Sequence, residues 1–237
     1  MAVLEPWGGE ELCGSYGQRD VNLRYRAILF DLDGTLVDTL DDLTAAMNYG
    51  LRRLGLPEHP AEVCRRMIGN GVDIFASRAL GPDHQDLHGR LIEVMMPYYE
   101  AHCMDRSRVY EGVQEALAEL HRRGIRVAVV TNKDQPQAEK VMGHYFADGL
   151  FDAIVGVGPQ VPVKPDPTGT RRVLDTFGIG SDQALFIGDS EIDYETAENA
   201  GVRFVGAAWG FRGRPALARL GVETIVERPG EILNLLS

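Results

Sequence analysis

Four short stretches of the 237-residue chain bring carboxylates, a hydroxyl and a lysine together in patterns suited to chemistry on an anion. They are Asp31-Leu32-Asp33-Gly34-Thr35, Thr131-Asn132-Lys133, Val163-Lys164-Pro165-Asp166-Pro167, and Gly188-Asp189-Ser190 followed by Asp193. Asp31 and Asp33 are two apart, so in an extended segment their side chains share a face. A carboxylate at the tip of a strand is a competent nucleophile towards phosphorus, because an acyl phosphate divides one difficult displacement into two easier ones. That role falls to Asp31. Phosphate is itself anionic, so positive charge must intervene; a hard cation held by Asp31 and Asp189 supplies it, and an oxygen-only ligand set suits Mg²⁺. Lys164 adds a second, fixed positive charge, with Pro165 biasing it towards extended backbone and Pro167 favouring the first turn of the next helix. The Thr131 hydroxyl and nearby backbone N–H groups are placed to hold phosphoryl oxygens as charge redistributes. Asp33 serves separately, protonating the leaving oxygen and then activating the water that opens the aspartyl-phosphate.

Such residues need a scaffold that delivers them to one place. The apolar run Ala27-Ile28-Leu29-Phe30 reads as a buried strand ending at Asp31. Helices are predicted over Leu40 to Gly55, capped by Thr39, and over Ala61 to Met67, Val72 to Leu80 and His84 to His102, with no strand between them. Beyond Arg108 the pattern alternates. Helices are expected over Gly112 to Arg123, Gln135 to Phe146, Pro167 to Phe177 and Ile192 to Ala200. Strands are expected at Ile125 to Val130, Asp152 to Val155, Ala184 to Ile187 and Arg203 to Ala207. Strands alternating with helices imply an α/β fold with a doubly wound, Rossmann-like parallel sheet, whose ligands bind at the carboxyl ends of the strands. The expected organisation is a loose N-terminal extension over residues 1–24, a catalytic core over 25–38 and 107–237, and a small all-helical cap over 39–106.

In this order the motifs resemble those of the haloacid dehalogenase superfamily, in its phosphoglycolate phosphatase-like branch. Asp31 to Asp38 is similar to the family's first motif, Val129-Val130-Thr131-Asn132-Lys133 to the second, Lys164-Pro165 to the third, and Gly188-Asp189-Ser190-Glu191-Ile192-Asp193 to the fourth. The resemblance implies a Mg²⁺-dependent phosphatase with Asp31 as nucleophile and Asp33 as acid and base. It makes Asp31, Asp189 and the backbone carbonyl of Asp33 the metal ligands, and sets Asp193 beside Lys164. Thr131, Asn132 and Lys164 are the implied phosphate contacts, and Gly69-Asn70-Gly71 the implied substrate-facing loop of the cap. The implied partner is a small phosphate ester such as phosphoglycolate or a sugar or ribosyl phosphate. Two other activities share the nucleophile: a phosphosugar mutase, and a haloacid dehalogenase, whose halide leaving group needs no acid at the position of Asp33.

Composition narrows the field from the other side. With 44% hydrophobic and 25% charged residues the chain is an ordinary globular one, and a net charge of −11 disfavours nucleic acid as a partner. Apolar runs such as Ala27 to Phe30 and Val127 to Val130 are too short to span a membrane. Cys13, Cys64 and Cys103 are odd in number and form no C-x-x-C pair, which points to a reducing, cytoplasmic setting. Several polar residues read as ordinary surface: Lys133 as a solvated strand-end lysine, His84 and His88 as one solvated helix face, Arg212 and Arg214 as surface arginines. Met95, Met96, Tyr98 and Tyr99 read as cap core.

Overall fold

The computed structural model describes residues 24–236, so the first 23 residues of the expected extension, with Cys13, lie outside the described residues. The short apolar run becomes β1 (Ala27–Phe30), buried along its whole length. It pairs in parallel with β4 (Arg126–Asp134) on one side and β6 (Ala184–Gly188) on the other. Runs buried on both faces carry no polar alternation, which is why these strands read as continuous apolar stretches. With β5 (Ala153–Val157), β7 (Arg203–Ala207) and β8 (Ile225–Val226) they make a parallel sheet ordered β5-β4-β1-β6-β7-β8. Five helices flank it: α5 (Val113–Arg122), α6 (Gln135–Tyr145), α7 (Thr168–Phe177), α8 (Glu191–Ala200) and α9 (Gly213–Arg219). One buried cluster includes Ile28, Leu117 and Met142, and another includes Leu29, Val173 and Phe186. Neighbouring residues of β1 face opposite sides of the sheet, so a single strand serves both.

Register sets the site. Phe30 stands opposite Val129 and Ile187, so Asp31, one residue on, emerges between the ends of β4 and β6. Beyond β1 the chain runs through β2 (Val37–Asp38) into four helices: α1 (Leu40–Arg53), α2 (Ala61–Met67), α3 (Val72–Leu80) and α4 (His88–His102). It returns through β3 (Arg108–Val109), antiparallel to β2. The buried carboxylate of Asp42 on α1 ties the two crossings together, accepting from the backbone N–H groups of Arg106 and Ser107 and from the Ser107 hydroxyl. The helical insert has its own core of Met47, Leu51, Phe75, Leu91 and Met95, joined by Phe211 from the sheet unit. No helix of the described residues is long and apolar enough to cross a membrane.

Several boundaries move. β4 continues to Asp134 instead of stopping at Val130, because pairing with β5 lapses after Val130 and resumes at Asp134 opposite Val157. Residues 131–133 therefore occupy an irregular strand end. A 3₁₀ turn over Pro82–Leu87 delays α4 to His88. The pairs β2–β3 and β7–β8, helix α9 and the 3₁₀ segment Pro229–Leu235 add to the expected elements. A two-residue strand is too short to show a period.

Candidate active site

Lys164 holds the centre. Its ammonium lies 2.8 Å from Asp31 Oδ1 and 2.6 Å from Asp193 Oδ1, and donates to the Val130 carbonyl at 3.1 Å. Only 4% of Lys164 is exposed. Burial disfavours its charge, yet Asp193 and Asp31 outweigh that cost and hold the ammonium above its ordinary range. The loop bearing it is braced by Asn132, whose Oδ1 accepts from the Lys164 N–H at 2.6 Å. The same amide donates to Gly69 O at 2.8 Å and to Lys164 O at 3.3 Å. Asn132 thus joins the end of β4 to two loops, while Thr131, buried beside it, accepts from the Lys133 N–H through its hydroxyl.

Asp193 sits in the first turn of α8 and is locked there by a reciprocal cap. Ser190 donates to Asp193 Oδ2 from its hydroxyl at 2.6 Å and its N–H at 3.1 Å, and the Asp193 N–H donates back to Ser190 Oγ. A β-carbon at Gly188 would lie 2.3 Å from that of Asp193, so only glycine lets the aspartate tuck beneath the strand end. Asp189 Oδ2 accepts from the Phe211 N–H at 2.7 Å, and its Oδ1 is 3.4 Å from the Thr35 hydroxyl.

Asp31, Asp189 and Asp193 are all buried and offer oxygens within 4.8 Å of one another. Among them stands a single ammonium, that of Lys164, so the cluster carries excess negative charge. Burial first, and then Asp193, push the Asp31 carboxyl up to about 7, against the pull of Lys164. Burial, Asp193 and Asp31 push Asp189 up to about 8. A hard divalent cation removes this penalty, and a set of carboxylate oxygens is what such an ion takes. The folded protein holds protons here that the unfolded chain has released, so without metal these groups cost stability as pH rises from about 4 to about 8. A divalent cation entering the cluster would have to displace those protons. Its stabilising effect in thermal melts is therefore expected to grow from acidic to mildly alkaline pH; an increment independent of pH would contradict the assignment.

Asp33 is held on both oxygens: the Thr39 hydroxyl donates to Oδ1 at 2.7 Å, and the Lys133 ammonium lies 3.0 Å from Oδ2. Lys133 is not solvated as the sequence suggested but 9% exposed, donating to Tyr99 Oη of α4 at 2.7 Å. Burial opposes its charge, yet Asp33 and Tyr99 raise the ammonium above its usual range. Tyr99 is thus more than cap core. Gly69 and Gly71 line the cavity between the strand ends and the helical insert, and both have positive φ, at 121° and 83°. Asn70 does not line it, and its buried side-chain oxygen has no hydrogen-bond partner.

Arg212 also departs from its surface reading. Its guanidinium donates to the carbonyls of Arg65 and Ile68, both at 2.6 Å, and to Glu191 Oε2 at 3.0 Å. It clasps the C-terminal end of α2 just before Gly69, while the neighbouring Phe211 N–H orients Asp189. Neither role has a sequence signal, since both depend on partners more than 20 residues away. Arg214 behaves as expected, pairing with Glu227 at the surface. His88 contacts the Asp73 carbonyl through its ring Nε2 at 2.9 Å.

Comparison with known proteins agrees with this geometry. Residues 28–207 match the family described as haloacid dehalogenase-like hydrolase. The chain is 36% identical over 198 residues to a phosphoglycolate phosphatase of Pseudomonas putida, covering 80% of this chain and 72% of that one. It is 34% identical over 227 residues to a phosphoglycolate phosphatase of Mannheimia succiniciproducens, covering 91% of this chain and all of that one. The solved structure of a haloacid dehalogenase-like family hydrolase from Streptococcus pneumoniae superposes with a TM-score of 0.81 at 26% identity, over 89% of this chain and 98% of that one.

Proposed function

The chain belongs to the haloacid dehalogenase-like hydrolase family as a phosphoric monoester hydrolase, and on that premise we propose that it hydrolyses the phosphate ester of a small metabolite through an aspartyl-phosphate at Asp31. Phosphoglycolate and sugar or ribosyl phosphates are the substrates this reading admits. The observation that carries it is the contact of a buried, strand-end Asp31 with Lys164 at 2.8 Å, beside Asp189 and Asp193.

Asp31 attacks phosphorus while Lys164 and the Thr131 hydroxyl stabilise the phosphoryl oxygens. Asp33 gives its proton to the departing oxygen. Once the alcohol has left, Asp33 takes a proton from the water that opens the acyl phosphate, releasing phosphate and restoring Asp31. Asp31 and Asp189, with the Asp33 carbonyl, would hold Mg²⁺, which when bound offsets the repulsion between carboxylate and phosphate. Asp193 serves through Lys164, whose ammonium it holds at 2.6 Å.

Residues 39–106 read the organic part of the ester in this proposal, because Phe75, Met95 and Met96 of the insert line the same cavity as Asp31 and Thr131. A cytoplasmic setting belongs to the same reading, supported by the free, buried thiols of Cys64 and Cys103. Asp33 favours phosphate over halide chemistry, since a halide leaving group needs no acid. Adding EDTA is expected to stop release of inorganic phosphate from p-nitrophenyl phosphate, and Mg²⁺ to restore it. Metal-independent turnover, or interconversion of hexose phosphates with little free phosphate, would contradict the proposal.

A further inference from the structure

Helix α2 has little of its own to hold it. It is seven residues long, and the side chain it buries is that of Cys64. A helix of two turns is marginal without packing, and its last carbonyls lack partners within the helix. The chain then runs directly into the cavity, where Ile68, Gly69 and Gly71 line the same space as Asp31 and Thr131. Gly69 and Gly71 stand at positive φ, so this backbone can take other conformations unless something fixes it.

What fixes it comes from the sheet unit. Arg212, in the loop after β7, donates from Nη1 to the Arg65 carbonyl and from Nη2 to the Ile68 carbonyl, both at 2.6 Å. Its Nε donates to Glu191 Oε2 at 3.0 Å, which anchors the guanidinium to the first residue of α8. The side chain is 12% exposed. A cation at the carboxyl end of a helix is favourable in itself, and a planar fork reaches two carbonyls and a carboxylate at once where a single ammonium does not. Asn132, near the end of β4, donates to Gly69 O at 2.8 Å. Its other side-chain N–H goes to Lys164 O at 3.3 Å, and its oxygen accepts from the Lys164 N–H at 2.6 Å. The amide therefore has no donor left for a phosphoryl oxygen.

We propose that Arg212 is a positioning residue of the reaction: it caps the carboxyl end of α2 from the sheet unit and so seats residues 68–71 as a wall of the cavity, while Asn132 braces the same wall instead of contacting phosphate. The inference rests on the phosphatase reading, because the seated wall acts through the ester it closes on. When only a fraction of the molecules has the wall seated, the apparent affinity for the ester falls by that fraction, whereas the step at Asp31 within the seated complex is unchanged. Loss of Arg212 therefore acts on KM.

The test measures kcat and KM for p-nitrophenyl phosphate and 2-phosphoglycolate at saturating Mg²⁺ in wild type, Arg212→Met and Arg212→Lys, and follows backbone hydrogen exchange of the same proteins without ester. In Arg212→Met, KM is expected to rise about 10-fold, the worth of one hydrogen bond from a charged donor, with kcat little changed. The N–H groups of Cys64 and Ile68, which bond to the carbonyls of Pro60 and Cys64, should exchange about 10-fold faster, and those of α1 and α4 should not. Arg212→Lys keeps the charge beside Glu191 but does not span both carbonyls, so it should move KM and exchange in the same direction. A lysine variant that matches wild type in both would show that the charge alone matters, and overturns the proposal. So does a methionine variant whose kcat falls at unchanged KM, or whose α2 exchanges as in wild type. Where the methionine variant does not fold the lysine variant decides, and failure of both to fold makes Arg212 a structural residue and overturns the proposal too. Wild-type protein that releases no phosphate from either ester would instead overturn the phosphatase reading, while hydrogen exchange still tests the seating of α2.

Discussion

Asp31→Asn is expected to lower turnover of every phosphate ester on the order of 10⁴-fold or more while leaving the protein folded. The amide is nearly isosteric with the carboxylate but cannot attack phosphorus. Folding should survive because burial and Asp193 already disfavour the charge at position 31. An amide oxygen can still accept from Lys164, and the 2.6 Å pair between Lys164 and Asp193 is untouched. The expected result is a near-wild-type melting temperature with activity on p-nitrophenyl phosphate lost. Substantial retained activity would remove Asp31 from the role of nucleophile.

Lys164→Met should strike both stability and rate. Among the described residues its ammonium is the cation that pairs with both Asp31 and Asp193, and without it two buried carboxylates lose their shared positive charge. Breaking a buried pair from one side costs about 3–5 kcal/mol, which for a chain of this size lowers Tm by on the order of 10 °C. Turnover should fall about 10²–10³-fold, the usual loss when a fixed electrostatic donor leaves an active site. Mg²⁺ should recover part of the stability, because added positive charge relieves the same carboxylates, but not the rate. A variant as stable as wild type in metal-free buffer would show that the cluster does not depend on Lys164.

These two effects can be foreseen because Asp31, Lys164 and Asp189 stand at abrupt changes from apolar runs to polar turns, and a parallel sheet brings such points together. The α/β class is legible for the same reason: buried strands such as β1 and β6 are short, wholly apolar and separated by helical periodicity. What stays hidden is long-range. Asp42, which ties the base of the insert, looks like an ordinary first-turn helix acid until Ser107 arrives 65 residues later. Lys133 reads as a solvated strand end unless Tyr99, 34 residues earlier, is known to cover it. Arg212 reads as a surface residue because its partners, the carbonyls of Arg65 and Ile68, are backbone atoms with no residue signature. The bulged end of β4 escapes a sequence reading since its pairing resumes only through Val157 on β5.

The central claim is that phosphate passes through a covalent bond to Asp31. Asp33→Asn slows the water step that opens the acyl phosphate, so a brief incubation with p-nitrophenyl phosphate, whose leaving group needs little protonation, followed by acid quench should trap the intermediate. Borohydride reduces an acyl phosphate at aspartate to homoserine, and peptide mass mapping then reports the position. The account predicts conversion at residue 31 in the Mg²⁺-loaded protein, and none in Asp31→Asn or after EDTA. Conversion at another carboxylate, or rapid phosphate release by wild-type protein with no trapped species in Asp33→Asn that still turns over, would contradict it.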